Sequence, residues 1–302
     1  MAVSIYIIKK YIKSALGKSS MTVNQDEGKC YSKDGIEGYY NNLTDKVLKF
    51  GFPGNELPVS EPAPGIKMYF SIAIFQYGLA AYDLFLLTKD ESYLEKVKAC
   101  AEWAVSNQDS NGGWKTFTYK RPDQLYSAMA QGEALSLLVR AHKAFSDDRY
   151  IECAHRAKLF MMKPVDEGGT TVYKDGSIYL YEYLNVPQVL NGWIFAAWGL
   201  FDYGKYLNNK LAIGEWENTV ETMANKLHMY DHQYWSMYDD GTTLSNPFYH
   251  KLHIAMLNTM YDLTGIEEFR KYSQIFSLYQ SKRLNRVRAF LVKVWQKILE
   301  KE

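Results

Sequence analysis

IAIFQYGLAAYDLFLLTKDESYLEKVKACAEWAV, residues 72–105, reads as an apolar helix, a tight turn over Thr88 to Ser92, and a second helix that opens on Tyr93-Leu94. The same plan returns three times. A second pair spans about Ala128 to Met161, its turn at Ser146 to Arg149 followed by Tyr150-Ile151, so Tyr93 and Tyr150 hold equivalent places 57 residues apart. A third pair runs from about Leu190 to Met229. The fourth runs from about Leu252 to Leu278, where Thr264-Gly265 makes the turn and Phe269 takes the tyrosine's place. Paired helices at this period predict an α/α array, either a solenoid or a closed toroid.

The segments that follow each second helix differ from the turns. They read QDSNGGWKTFTYK (108–120), PVDEGGTTVYKDGSIYLYEY (164–183) and DHQYWSMYDDGTTLSNPFYH (231–250). Connections after every second helix leave an α/α array at one end, so these aromatic loops are expected to converge on a single face, the candidate active site. Gly112-Gly113, Asp175-Gly176 and Asp240-Gly241 are turn signals within alternating aromatic and polar residues, which predicts short β-hairpins at that rim.

Composition bounds the rest. A chain of 302 residues with 47% apolar content can bury a large core, and 8 prolines with 20 glycines leave it mainly helical. Cys30, Cys100 and Cys153 have no metal-like spacing and read as reduced core residues, which favours a reducing compartment. No signal-peptide pattern and no run of 18 apolar residues occurs in the sequence, so a cytoplasmic location is expected. The net charge of +1 hides an uneven distribution: +4 over residues 1–20, +5 over residues 282–302, and −8 between them. Both ends are amphipathic on a helical template, with Ile5, Ile8, Ile12 and Ala15 on one face and Leu284, Val287, Leu291, Val294 and Ile298 on the other end's. Such helices bind anionic membrane surfaces unless their apolar faces dock on the body, and peripheral contact at the inner face of a membrane is one expectation.

The loops carry the chemistry. Phenols stack on sugar rings and exchange hydrogen bonds, so the tyrosine-rich loops suit a carbohydrate cleft. Glu182 and Tyr183 precede VPQVLNG, and Tyr249-His250 with His253 closes NPFYHKLH; a carboxylate, phenols and imidazoles in one pocket can transfer protons. His250 and His253 stand three apart without a third ligand, so no metal is expected. GxGxxG, Walker, GxSxG and HExxH motifs do not occur, which argues against nucleotide cofactors and the common hydrolase nucleophiles; no cofactor is expected.

Several phrases resemble the C-terminal catalytic domain of the D-glucuronyl C5-epimerases. They are FQYGLAAYDLFLLTKDESYL (75–94) with the following NGGW, SAMAQGEALSLLVRA (127–141), EYLNVPQVLNGWIFAAWGLFDY (182–203), WSMYDD (235–240) and NPFYHKLHIAML (246–257), in the family's order. The resemblance implies an all-α, incomplete (α/α) toroid of about four helical hairpins with short β-hairpins in the loops at one end. It also implies inversion of C5 in glucuronate residues of a heparosan-like polymer, giving iduronate. By the same resemblance Tyr183, Tyr238, Tyr249 and Glu182 are the catalytic residues and Asn191 contacts substrate. Gln131, Tyr126, Trp114, His250 and His253 are read as further substrate-binding residues. Animal members carry an arginine three residues after the tyrosine that matches Tyr238; Gly241 stands there instead, so the substrate carboxylate needs another partner. Those enzymes also have a large β-rich region upstream, whereas about 40 residues precede the resemblance here. The expected organisation is a basic lead-in (1–40), the toroid (41–280) and a basic amphipathic C-terminal helix (281–302). The expected partner is a uronic-acid polysaccharide and not nucleic acid, with homodimer formation left open. A polysaccharide lyase or glycoside hydrolase on uronic-acid glycans, and a non-catalytic glycan-binding protein, are the alternatives.

Overall fold

Four helical hairpins make up the body in the computed structural model of the protein, which describes residues 18–19, 22–119 and 121–299. The first is α1 (Ser71–Thr88) with α2 (Ser92–Asn107), and the second α3 (Ala128–Phe145) with α4 (Asp148–Met162). The third is α5 (Leu190–Tyr206) with α6 (Lys210–Lys226), and the fourth α7 (Pro247–Thr264) with α8 (Glu267–Ser281); α9 (Arg283–Leu299) follows. The expected amphipathic pattern of Ile5, Ile8, Ile12 and Ala15 lies outside the described residues.

The two helices of each hairpin have different burdens. In α3 every residue from Ala128 to Ala141 is buried, and in α5 every residue from Leu190 to Gly204. α6 buries one stripe, including Ala212, Trp216, Val220 and Met223, and leaves the rest to solvent. First helices therefore form an inner ring and second helices an outer one. The ring is tight because glycine sits where inner helices cross: a Cβ on Gly199 would fall 2.0 Å from the carbonyl oxygen of Gly132. Three of the four turns inside the hairpins share one device. Lys89, Ser146 and Gly265 each take a left-handed conformation, φ of 61°, 55° and 69°, and return their amides to Phe85, His142 and Tyr261.

At the C-terminal end of the inner ring, residues 37–40 act as a plug. The Tyr39 amide donates to Asp83 Oδ1 on α1, Arg140 on α3 donates to the carbonyls of Glu37 and Gly38, the Tyr40 hydroxyl donates to Asp202 on α5 at 2.6 Å, and Thr259 on α7 donates to the Tyr40 carbonyl. Arg140 and Asp202 are fully buried and paired with each other. The boundary expected between residues 40 and 41 thus falls inside a segment that is part of the core: Tyr39, Tyr40 and Leu43 are among its most buried residues.

At the other end lie the long loops. Among the described residues only the second forms a regular hairpin, β3 (Thr171–Lys174) with β4 (Ser177–Leu180); β1 (Val59–Ala63) and β2 (Ile66–Tyr69) pair ahead of α1. Asp175 and Gly176 both have positive φ, 50° and 78°, the two-residue turn whose twist matches the strands. The expected hairpins in the other loops give way to side-chain-held turns. Asp239 Oδ1 accepts the amides of Gly241 and Thr243, and Asn111 Oδ1 accepts that of Gly113, so a carboxylate or carboxamide shapes each turn while isolated backbone bonds, such as Tyr238 to Thr243 and Thr116 to Leu125, close the loop without a regular strand pair.

Candidate active site

Each inner helix meets the loops at its N-terminus. Ser71 Oγ lies 3.0 Å from Thr116 Oγ1 in the first loop, the amide of Ala128 donates to the Tyr181 carbonyl, and that of Leu190 to the Tyr238 carbonyl. Asn246 caps α7 by accepting the Tyr249 amide, with Pro247 in the first turn, a local signal that fixes where Tyr249 enters.

Around this rim the three loops bring together Phe117 and Arg121 from the first, Glu182 and Tyr183 from the second, and Tyr238 from the third, with Tyr249 from α7. The rings of Phe117 and Tyr183 lie 4.6 Å apart, and those of Tyr238 and Tyr249 4.8 Å apart at 61°. The Glu182 carboxylate bears electrostatically on all three phenols, and Tyr183 and Tyr238 each interact with the other and with Tyr249. One carboxylate and three phenols therefore form a chain of electrostatically coupled neighbours.

Burial sets the electrostatics of that chain. Glu182 is 4% exposed, and its side chain lies against the backbone of Gly192, where a Cβ would fall 2.2 Å from Oε2. Desolvation pushes its carboxyl up to about 7, against the opposing pull of the Tyr183 hydrogen bond and the Arg121 charge. Tyr183, Tyr238 and Tyr249 are all held above the ordinary phenol value, first by burial and then by the negative charge of Glu182. A carboxyl poised near neutrality in contact with a neutral phenol is an arrangement suited to relaying a proton.

Arg121 is the cation of this rim. Its guanidinium carbon sits 4.6 Å from the centre of the Tyr183 ring, its Nη1 donates to Gln124 Oε1 at 3.3 Å, and it takes part in no ion pair among the described residues. The sequence reading missed it, together with Phe117 and Gly192. A signal was available for Arg121, because the three long loops contain no other arginine.

The remaining expected residues separate into three groups. Gln131 and Asn191 are buried in the first turns of α3 and α5, with Gln131 Oε1 and Asn191 Oδ1 lacking a partner among the described residues. Tyr126 lies at the base of the first loop, donating to Asp109 at 2.7 Å and accepting from Asn111 at 3.0 Å. Trp114, His250 and His253 are buried in the core. The Trp114 indole donates to the Ala104 carbonyl and packs edge-on against Phe75. His250 stacks on Trp235 at 3.6 Å and donates from Nε2 to the Phe276 carbonyl, while its Nδ1 and that of His253 both face Ser236 Oγ. Burial pushes both imidazoles down to about 3, so they stay neutral.

A model of the D-glucuronyl C5-epimerase C-terminus matches residues 108–277, a span that holds every member of the rim cluster. The chain is 30% identical over 211 residues to the D-glucuronyl C5-epimerase of Caenorhabditis elegans, covering 59% of this chain and 33% of that protein. It is 34% identical over 203 residues to an uncharacterized protein of Methanocaldococcus jannaschii, covering 60% and 66%. The chain therefore spans about a third of the worm enzyme's length. Among solved structures, a family 76 glycoside hydrolase (mannosidase) of Bacteroides thetaiotaomicron superposes with a TM-score of 0.51 at 14% identity, over 87% of this chain and 82% of that one. That likeness is one of fold alone.

Proposed function

This chain belongs to the family of the D-glucuronyl C5-epimerase C-terminus, and from that premise we propose that it is a uronate C5-epimerase, an isomerase that turns D-glucuronate into L-iduronate residues within a heparosan-like polysaccharide. The observation that carries the reading is the burial of Glu182, its carboxyl pushed up to about 7, among three phenols that all feel its charge. The C5 hydrogen is acidic only because the neighbouring carboxylate can take up charge, and that carboxylate is already negative. The site must therefore offer a base, an opposed acid and a cation.

In the proposed cycle the Tyr183 oxygen accepts the C5 proton as its own proton moves to Glu182. Tyr249 donates its proton to the opposite face of C5, and Arg121 pairs with the substrate carboxylate on which negative charge accumulates. Tyr249 is then reprotonated through Tyr238 from Tyr183, and Glu182 returns its proton to Tyr183. Every group ends as it began, and one C–H bond has been broken and one made at the same carbon. Arg121 reaches the rim from a different loop than the one bearing Gly241, and so it answers the need for a carboxylate partner. The test is incubation with uronic-acid polymers in deuterated water. Deuterium at C5 with intact chain length and new iduronate supports the reading. An ultraviolet-absorbing unsaturated uronate with shortened chains indicates a lyase, and no exchange on any uronic-acid polymer indicates a non-catalytic binder.

A further inference from the structure

α9 is held to the body along one side only. Ala289 is fully buried, and Gln296 donates to the Thr242 carbonyl at 2.8 Å and accepts the Leu244 amide at 3.2 Å, which ties the helix to the loop between Tyr238 and Tyr249. The opposite side is bare: Leu284, Val287, Leu291 and Trp295 are 84%, 51%, 61% and 62% exposed. At about 100° per residue these four fall within an arc of roughly 80°, facing away from Ala289 and Gln296. Of the face expected from the sequence, Leu284, Val287 and Leu291 are bare and Val294 is half-buried, and the side chain of Ile298 lies outside the described residues.

Charge identifies what this face meets. Between Arg283 and Leu299 the helix has five cations and no acid. Arg283 and Arg286 flank the apolar arc on one side and Arg288 on the other, its guanidinium 3.8 Å from the centre of the Tyr234 ring. An apolar strip alone would suit a protein groove or a second copy of the chain. A strip that ends in tryptophan and is bordered on both flanks by arginines suits a bilayer, where acyl chains take the strip and anionic headgroups the guanidinium groups. We propose that α9 docks the protein on anionic phospholipid bilayers, lying in the interface with Leu284, Val287, Leu291 and Trp295 inserted. Because Gln296 fastens the helix to the third loop, docking holds the cleft rim near the membrane surface. This inference is independent of the reaction assigned to the cleft.

The experiment uses the full chain with vesicles of phosphatidylcholine, alone or mixed with phosphatidylglycerol. Flotation is expected to show at least about tenfold stronger binding to the mixed vesicles, weakening as salt is raised, as counterions screen the arginines. Brominated lipids are expected to quench part of the tryptophan emission, and Trp295→Phe is expected to remove that part. The pair Leu284→Glu and Leu291→Glu is expected to abolish binding with an unchanged thermal midpoint, since both side chains are bare. Arg283→Gln with Arg286→Gln should reduce binding only to mixed vesicles. Absence of binding to mixed vesicles, or binding that survives both glutamate substitutions, overturns the proposal. Self-association lost in the glutamate variants, without vesicle binding, also overturns it and makes a second copy the occupant.

Discussion

Replacing Glu182 with glutamine separates the stability of this site from its chemistry. The buried carboxyl holds its proton up to about 7 in the folded protein, against 4.5 when unperturbed. The folded state therefore binds more protons than the unfolded chain between these values, and the group's contribution to stability falls as pH rises through that window. Worked from the two values, that loss between about pH 5 and about pH 8 is roughly 2.5 kcal/mol, with little solvent screening because the side chain is almost wholly buried. Glutamine keeps the shape and has no charge to desolvate. Denaturant unfolding of both proteins at the two pH values should show Glu182→Gln gaining about 2.5 kcal/mol relative to the parent on going to the higher pH. The difference of differences cancels other raised carboxyls such as Asp83, and Glu133, which feels the Glu182 charge, can shift it only in part. The same variant should lose about a hundredfold to ten-thousandfold in C5 exchange, because an amide cannot take the Tyr183 proton. A relative gain below about 1 kcal/mol would refute the claim that this carboxyl is held by burial.

Tyr183→Phe and Tyr249→Phe should each lower C5 exchange by about a hundredfold or more with a preserved circular dichroism spectrum, since each removes a proton carrier and keeps the ring. Exchange at the parental rate in both would make the phenols packing groups. Arg121→Gln should weaken turnover of a uronate polymer while sparing binding of the same polymer with its carboxyls reduced to alcohols, and Arg121→Lys should restore part of the loss. Equal effects on both polymers would mean that Arg121 only supports the Tyr183 ring. Asp202→Ala should cost about 3–5 kcal/mol in denaturant unfolding, because it leaves the Arg140 guanidinium buried without its counter-charge. A loss under about 1 kcal/mol would show that the bonds to Glu37 and Gly38 suffice to hold that charge.

The helical plan was readable because it depends on local signals. Apolar runs broken at Thr88–Ser92, Ser146–Arg149 and Thr264–Gly265 set the hairpins, and the 57-residue offset of Tyr93 and Tyr150 revealed the repeat. The plug was not readable. Tyr39 and Tyr40 stand in no periodic pattern, and their partners lie between 44 and 219 residues away. The surroundings of His250 were unreadable for a related reason: Trp235, Ser236 and Phe276 are brought around it only by folding. The phenol–carboxylate chain could be anticipated from the family phrases, but its cation could not, because Arg121 lies between NGGW (111–114) and SAMAQGEALSLLVRA (127–141), inside neither.

The two ends of the inner ring are built for opposite purposes, and the repeat makes that possible. Asp83, Arg140, Asp202 and Thr259 are each the thirteenth residue of their helix, so one layer of the repeat supplies all four partners of the plug. That layer closes the C-terminal end with a paired cation and anion and with hydrogen bonds to backbone. The first turns remain open to the loops, and there the aligned peptide dipoles of four parallel helices present partial positive charge. A polyanionic substrate approaching the rim therefore meets a favourable field before it reaches Arg121, although Glu182 carries negative charge when ionised. Burial eases that conflict: with its carboxyl pushed up to about 7, Glu182 is neutral in part of the molecules near neutrality, which spares an incoming anion, and the ionised fraction is the base that starts the cycle. The same desolvation that costs stability above that pH is what makes the carboxylate basic enough to take the Tyr183 proton.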